Sequence, residues 1–136
     1  MPARILVVED NEANLELMRY LIEHAGHGVF LARDGQAGVE TALRVRPHLV
    51  LCDLQMPLLD GYGLLERLRG EPELGTMPIV AVTAFSMRGD ESRVLTAGFD
   101  GYMSKPIDPG TFVARMEAFL PPALREAAAA EAPDHG

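Results

Sequence analysis

The stretch Leu49-Val50-Leu51-Cys52-Asp53-Leu54-Gln55-Met56-Pro57 decides the predicted fold, because it joins a short apolar run to a single carboxylate. An uninterrupted apolar run of this length is typical of a β-strand that is buried on both faces. Pro57 and the pair Asp60-Gly61 then interrupt the pattern with turn-forming residues. In open α/β sheets, ligands bind beyond the carboxyl ends of the strands. The stretch therefore predicts a central strand that places Asp53 in a ligand crevice.

Further short apolar runs have the same character, and helical patterns lie between them. Strands are predicted around residues 5–8, 29–32, 79–82 and 100–104, and a helix is predicted after each strand of the chain. This alternation predicts an α/β domain with a doubly wound sheet of five parallel strands and five helices. In the flavodoxin-like strand order 2-1-3-4-5, the first and third strands are neighbours at the point where the order reverses.

The bulk composition is that of a soluble, acidic, single-domain protein. The chain has 136 residues, of which 48% are hydrophobic and 24% charged, so it can bury a core of its own. A lone cysteine excludes an internal disulfide and fits a reducing compartment. No apolar window is long enough to span a membrane, and the N-terminus lacks a signal peptide. With a net charge of -8, direct nucleic-acid binding is not expected, and we predict a cytoplasmic protein.

The C-terminal residues differ in composition from the rest of the chain. From Pro121 onward the sequence is rich in alanine, glutamate and proline, and it has few large apolar side chains beyond Leu124. Such a segment has little apolar surface to bury. We therefore predict one domain over residues 1–120 and a flexible tail or linker stub over residues 121–136.

Polar side chains follow four of the predicted strands, at ends that share one edge of the sheet. They are Glu9 and Asp10, Asp53, Thr83 and Lys105. Two unit charges 4 Å apart repel by about 1 kcal/mol in water and by about 4 kcal/mol at an effective dielectric constant near 20, so an acidic cluster needs a cation. One lysine cannot neutralise three acids, and hard oxygen ligands suit Mg²⁺ better than zinc.

This set of groups suits the chemistry of a phosphoryl group. The equatorial oxygens of such a group need a metal, a cation and a hydrogen-bond donor. Magnesium, Lys105 and Thr83 would supply them, which leaves Asp53 as a nucleophile that forms an aspartyl phosphate.

Five separated motifs, in order, resemble the receiver (CheY-like) domains of two-component response regulators. The resemblance covers about residues 4–120 and is of the single-domain type. It is carried by Glu9-Asp10, by Asp53 in Leu-Cys-Asp-Leu-Gln-Met-Pro, by Asp60-Gly61, by Thr83-Ala84, and by Tyr102 before Lys105-Pro106.

The resemblance implies a role for each residue of the site. Asp53 would be the phosphoacceptor, Asp10 would bind Mg²⁺ directly, Glu9 would act mostly through water, and the backbone carbonyl of Gln55 would be a further metal ligand. Thr83 and Lys105 would contact the phosphoryl oxygens, and the Lys105-Pro106 bond would be cis.

The resemblance also implies partners and a switch. A histidine kinase or a histidine phosphotransfer protein would supply the phosphoryl group, as in a two-component system or a phosphorelay. Thr83 and Tyr102 would move together. A downstream protein would then bind the helix Ser86–Ala97, the strand around Tyr102 and the last helix. The helix Ser86–Ala97 has few apolar residues to hold it to a core.

Two other functions use the same residues. A phosphatase of the haloacid dehalogenase type also has a nucleophilic Asp at a strand end. Such enzymes have an Asp-x-Asp pattern, and the position of the second acid is Gln55 in this chain. The missing acid argues against turnover, so we do not expect an enzyme. A degenerate, purely structural receiver is the third possibility, and the complete set of residues argues against it.

A further hypothesis concerns the lifetime of the phosphorylated state. Phe85 is bulky for a position two residues after Thr83, at the rim of the site. Together with Gln55, it is expected to restrict the approach of water to the acyl phosphate.

Considered singly, several residues have ordinary structural explanations. Asp10 could cap the following helix, and Tyr102 could be a packing residue of its strand. Cys52 is expected to be a small core residue. His24 and His27 lie three residues apart without a well-placed acid, which does not predict a metal site.

Overall fold

The structure is a computed structural model that describes residues 3–74, 76–84 and 88–124, with side chains described at 91–124 in the last range. Five strands alternate with five helices. They are β1 (Arg4–Val8), α1 (Glu12–His24), β2 (Gly28–Ala32), α2 (Gly35–Val45), β3 (Leu49–Asp53), α3 (Gly61–Arg69), β4 (Ile79–Thr83), α4 (Arg88–Ala97), β5 (Gly101–Ser104) and α5 (Phe112–Glu117). Residues 122–124 form a further helical turn that the sequence did not predict.

The predicted sheet is confirmed. Its strands are all parallel and lie in the order β2-β1-β3-β4-β5. The register brings the carboxyl ends of four strands to nearly the same level, since Val8 pairs with Cys52, and Thr83 pairs with Ser104. The predicted site residues lie in these pairs or follow them directly, so the backbone alone directs their side chains to one edge.

Two apolar cores cover the two faces of the sheet. All residues of β3 and β4 are buried, as their uninterrupted apolar runs predict. Along β1, side chains alternate between the faces: Leu6 and Val8 join the core under α2 and α3, while Ile5 and Val7 join the core under α1 and α5. The central strands are therefore held on both sides, which fixes the position of Asp53 at the end of β3.

Three helices begin at the carboxyl edge of the sheet with a side-chain cap. The carboxamide of Asn11 and the carboxylates of Asp34 and Asp60 each accept a hydrogen bond from the N–H of the third residue after them, at 2.7 to 2.9 Å. Caps of this kind stabilise a helix by about 1 kcal/mol. They fix the loops that leave β1, β2 and β3, and two of these loops border the site.

Helix α4 is held loosely. Among residues 91–97, Val94 is buried and the others are exposed, and Leu95 is 47% exposed. This agrees with the sparse apolar pattern of the sequence. The sequence predicts that this helix begins at Ser86, a residue outside the described part of the chain.

The end of the described chain still contacts the domain. Leu120 is buried, and Leu124 packs against the core beneath α1 and α5. The boundary at residue 120 stays a prediction, and residues 125–136 lie outside the described part of the chain. None of the helices that the structure describes is long and apolar enough to cross a membrane.

His27 has a structural role. Its ring is buried, its Nδ1 accepts a hydrogen bond from the Ala3 N–H at 3.1 Å, and its Nε2 lies 2.7 Å from an oxygen of Glu117. Because Nδ1 faces a donor, Nε2 carries the proton and donates to the carboxylate. His27 thus ties the start of β1 to α5.

His48 gives the first testable prediction. Its Nδ1 accepts a hydrogen bond from the Arg4 N–H at 2.9 Å, and burial together with the nearby Arg4 charge lowers the pKa of His48 below its ordinary value of 6.5. A lowered folded-state pKa contributes stability that is present above the unfolded value and is lost as the pH falls through the folded value. The wild-type chain should therefore lose stability relative to His48→Asn, which keeps an acceptor, between about pH 7 and about pH 5. Urea unfolding of both proteins measures this difference, and a constant difference would contradict the prediction.

Candidate functional site

The residues of the predicted site line one cavity at the carboxyl edge of the sheet. Its volume is about 390 Å³. The lining residues come from the ends of β1, β3, β4 and β5 and from the first turn of α1, and they are Glu9, Asp10, Asn11, Asn14, Asp53, Gln55, Thr83, Ala84 and Lys105. Every residue predicted to bind metal or phosphoryl oxygens is therefore in the same cavity.

The acids of the cavity can share one cation. Glu9, Asp10 and Asp53 each offer a carboxylate oxygen, and these oxygens lie within 4.8 Å of one another. Glu9 is fully buried and Asp53 nearly so, while Asp10 is exposed. A donor set made only of oxygen atoms, open to solvent on one side, fits Mg²⁺ with some of its water retained.

Lys105 bridges two of these acids. Its Nζ lies 2.8 Å from Glu9 Oε1 and 3.4 Å from Asp53 Oδ2, and 13% of its side chain is exposed. The Lys105 N–H donates to the Thr83 carbonyl at 2.8 Å, which fixes the residue beside β4. The Lys105-Pro106 peptide bond is cis, as predicted. The ammonium group therefore stands next to the predicted phosphoacceptor.

Burial and ion pairing shift the pKa values of this pair. Burial raises the pKa of Glu9 above its ordinary value, and the Lys105 hydrogen bond only partly offsets this effect. Burial acts to lower the pKa of Lys105, but its pairing with Glu9 and Asp53 outweighs burial and raises it. Lys105 thus stays charged at neutral pH and can attract an anion into the cavity.

Cys52 lies directly before the phosphoacceptor position but is chemically inert. It is completely buried, and burial raises the pKa of its thiol far above the ordinary range. A protonated, inaccessible thiol is a poor nucleophile. This agrees with its prediction as a core residue.

The roles predicted for the site residues stay predictions, and three of them depend on features beyond these contacts. The Gln55 N–H donates to Asp53 Oδ1 at 3.3 Å, whereas the role of the Gln55 carbonyl as a metal ligand stays a prediction. Tyr102 is half-buried in β5 and packs against the core beneath α2 and α3, and its movement with Thr83 also stays a prediction. Phe85, proposed to restrict water, lies outside the described residues.

Two asparagines of the cavity had no predicted role there. The Asn11 N–H donates to Glu9 Oε2 at 3.1 Å, whereas Oε1 is ion-paired with Lys105 but has no well-aligned hydrogen bond. Asn14 lines the cavity from the first turn of α1. The sequence offered one signal. A helix that begins directly after Asp10 turns its first residues toward the same edge of the sheet.

Comparison with known proteins decides the family. Residues 5–117 match the model of the response regulator receiver domain. The chain belongs to this family. The receiver is 39% identical over 120 residues to the polar-differentiation response regulator DivK of Brucella anthropi, and the match covers 88% of this chain and 98% of that protein.

Solved receivers have the same fold. The receiver domain of the sensor histidine kinase PA1611 of Pseudomonas aeruginosa is 31% identical in sequence and has a TM-score of 0.79. The alignment covers 88% of this chain and 98% of that domain. That structure contains a magnesium ion coordinated in its active site cleft. The chemotaxis response regulator CheY4 of Vibrio cholerae has a TM-score of 0.83 at 22% identity, covers 88% of this chain, and is itself covered completely. This second likeness supports the fold alone.

Proposed function

We propose that this receiver accepts a phosphoryl group on Asp53 from the phosphohistidine of a histidine kinase or histidine phosphotransfer protein, and that the product switches a protein-binding surface. One observation carries the proposal. Asp53 lies in one cavity with Asp10 and Glu9, and the Lys105 ammonium lies 3.4 Å from its carboxylate. This combination of a nucleophile that lines a cavity, a cation and a possible metal site is what phosphoryl transfer requires.

In the proposed transfer, a carboxylate oxygen of Asp53 attacks the phosphorus atom. The bond between phosphorus and the histidine nitrogen breaks, and its electron pair stays on the imidazole. The Lys105 ammonium and the Thr83 hydroxyl would donate hydrogen bonds to the phosphoryl oxygens. Both groups are nearly buried, so their interactions with the transferred charge are stronger than in water.

The site fits a magnesium ion. Asp10, Asp53 and the Gln55 carbonyl would hold it directly, and Glu9 would contribute through water. The proximity of the three acids and the magnesium in the related Pseudomonas aeruginosa receiver support this assignment. When bound, the ion would neutralise charge on the phosphoryl oxygens.

The switching surface would consist of α4, β5 and α5. A phosphoryl group that draws the Thr83 hydroxyl toward Asp53 would leave space beside Tyr102, two residues before the end of the neighbouring strand. The exposed surface of α4 supports this choice, since a loosely held helix can change position at low cost. A downstream protein would recognise the altered surface.

We also propose that the receiver is a signalling module without turnover. A haloacid dehalogenase-type phosphatase would need a second acid where this chain has Gln55, and the match to the receiver family favours the module. The domain would cover residues 1–120, with residues 121–136 as a tail or linker.

The proposed function is tested by chemical trapping. The receiver is incubated with acetyl phosphate and Mg²⁺, the acyl phosphate is reduced with borohydride, and the modified peptide is identified by mass spectrometry. Modification is expected at Asp53 alone, and EDTA or Asp53→Asn should abolish it. Modification at another residue, or sustained hydrolysis of para-nitrophenyl phosphate, would contradict the proposal.

A further inference from the structure

The amino edge of the sheet, opposite to the cavity, carries a cluster of basic side chains. Arg4 begins β1, Arg44 and Arg46 lie in the last turn and at the C-cap of α2, and His48 directly precedes β3. We call these four residues the basic patch. Its arginines are exposed and its histidine is half-buried. Within the described part of the chain, one acid, Glu73, forms an ion pair with the patch, at Arg46. The patch is therefore locally positive in a chain whose net charge is -8.

Hydrogen bonds order the side chains of the patch. Nε and Nη2 of Arg4 donate to the carbonyls of Val45 and Arg46 at 3.2 and 2.6 Å. The Arg4 N–H donates to His48 Nδ1 at 2.9 Å, so Nε2 carries the proton of the neutral ring. Among the described residues, Arg4 Nη1 and His48 Nε2 have no hydrogen-bond partner. Two ordered donors thus remain available to an anion, which loses little entropy by binding to groups already held in place.

The last described residues bring the tail to the same edge. The buried ring of His27 links the Ala3 N–H, at 3.1 Å, to the Glu117 carboxylate, at 2.7 Å, so α5 ends beside the start of β1. Leu124 packs against the core that contains Ala3. The tail, residues 125–136, follows directly and lies outside the described part of the chain. A segment of this length spans at most about 40 Å, which is enough to cross the amino edge from α5 to α2.

Charge selects the edge to which the tail can bind. The tail contains three acids, Glu126, Glu131 and Asp134, and one arginine, Arg125. The carboxyl edge of the sheet holds the acid cluster of the cavity and repels such a segment, whereas the basic patch attracts it. Single exposed ion pairs are weak. A tethered segment, however, is present at an effective concentration on the order of millimolar, so several weak pairs are sufficient to hold it.

We propose that the tail folds back over the amino edge of its own domain and that its carboxylates bind the basic patch, at Arg4 Nη1 and His48 Nε2. Docking links the end of α5 to the end of α2. It also holds the tail at the edge opposite to Asp53, which leaves the cavity open to a phosphodonor. The tail of a second copy and a separate acidic protein are the other possible occupants, and the test distinguishes them.

The test locates the tail by paramagnetic broadening in the complete chain. A nitroxide is attached to Ala132→Cys, between two of the tail acids, and the amide signals of the isotopically labelled protein are recorded. Cys52 is completely buried, so the tail thiol alone reacts with the label. A second sample mixes spin-labelled chains without the isotope with isotopically labelled chains without the nitroxide. This mixture reports binding between copies.

Two variants remove the proposed charges, and a third is the control. The neutral-tail variant combines the substitutions Glu126→Gln, Glu131→Gln and Asp134→Asn. Arg44→Gln removes one charge of the patch, from an exposed side chain without an ion pair in the described chain. Arg33→Gln is the matched control, because it removes an exposed arginine at the carboxyl edge. Each of these changes leaves the apolar cores intact.

We expect strong broadening of the patch amides in the wild type, and about fivefold less in the neutral-tail variant, because three exposed ion pairs are lost. Arg44→Gln should reduce the broadening about twofold, and Arg33→Gln should leave it unchanged. At about 1 M NaCl, where the Debye length is about 3 Å, most of the broadening should disappear. The neutral-tail variant should accept phosphate from acetyl phosphate at the wild-type rate, since the tail lies away from the cavity.

Several results would overturn the inference. Broadening that the neutral-tail variant retains would show that the carboxylates do not hold the tail. Equal broadening in the mixed sample would assign the patch to the tail of a second copy. Absence of broadening in the wild type, together with shifts of the patch signals on addition of poly-glutamate, would assign the patch to a separate acidic partner. A neutral-tail variant with altered phosphorylation would place the tail at the carboxyl edge.

Discussion

Replacing Lys105 with methionine is expected to lower the free energy of unfolding by about 3 kcal/mol at neutral pH in metal-free buffer. The reason lies in Glu9, whose side chain is fully buried and whose Oε1 lies 2.8 Å from Lys105 Nζ. Removing one partner of a buried ion pair leaves the other charge without compensation, which costs more than the pair itself contributes. Chemical unfolding followed by circular dichroism measures the loss.

The pH dependence of this loss has a definite sign. Burial raises the pKa of Glu9, so the cost of its charge is relieved as the pH falls through the raised value. The Lys105→Met variant should therefore recover part of its stability in acid. In the wild type, ion pairing raises the pKa of Lys105 above 10.5, so its contribution is complete below 10.5 and is lost as the pH rises through the raised value.

A double variant provides the control. Glu9→Gln combined with Lys105→Met removes both charges, and its unfolding free energy should return to within about 1 kcal/mol of the wild type. The coupling energy of this double-mutant cycle then gives the interaction free energy between Glu9 and Lys105. A double variant as unstable as Lys105→Met alone would show that the loss came from packing of the lysine stem. Both variants should also fail to take phosphate from acetyl phosphate at the wild-type rate, because the cation beside Asp53 is gone.

The sequence was most informative for features that depend on neighbouring residues along the chain. Uninterrupted apolar runs such as Leu49 to Cys52 predict buried parallel strands, and the strand order then brings Glu9, Asp53 and Lys105 together without further information. The cavity contains every residue that this argument named.

Features that depend on tertiary contacts were not predictable in the same way. The sequence placed no acid near His27, yet its buried ring lies against Glu117, ninety positions away. The exposure of Leu58, in the loop after β3, follows from the packing of Leu59 on Gly35, a contact between distant loops. The apolar pattern of the sequence does not predict the burial of either residue, because their burial depends on contacts between distant segments.

Magnesium is expected to stabilise the wild-type receiver strongly, because it binds the folded acid cluster and the unfolded chain has no such cluster. At a hundredfold excess over its dissociation constant, the ion should raise the free energy of unfolding by about 2.7 kcal/mol. The basis is the set of carboxylate oxygens from Glu9, Asp10 and Asp53 within 4.8 Å of one another. Thermal unfolding at increasing Mg²⁺ and constant ionic strength, adjusted with NaCl, separates binding from general screening.

Substituting a carboxylate should change the free energy of unfolding in opposite directions with and without magnesium. Asp10→Asn and Asp53→Asn should lose most of the magnesium effect. In metal-free buffer, Asp53→Asn should raise the unfolding free energy by about 1 kcal/mol, because one of three mutually repelling charges is gone while Asn keeps an acceptor for the Gln55 N–H. Glu40→Gln removes an exposed charge on α2 and is the matched control, which should show the wild-type response to magnesium. If Asp53→Asn and Glu40→Gln behave alike in both buffers, the three carboxylates do not form a cluster that a cation can stabilise.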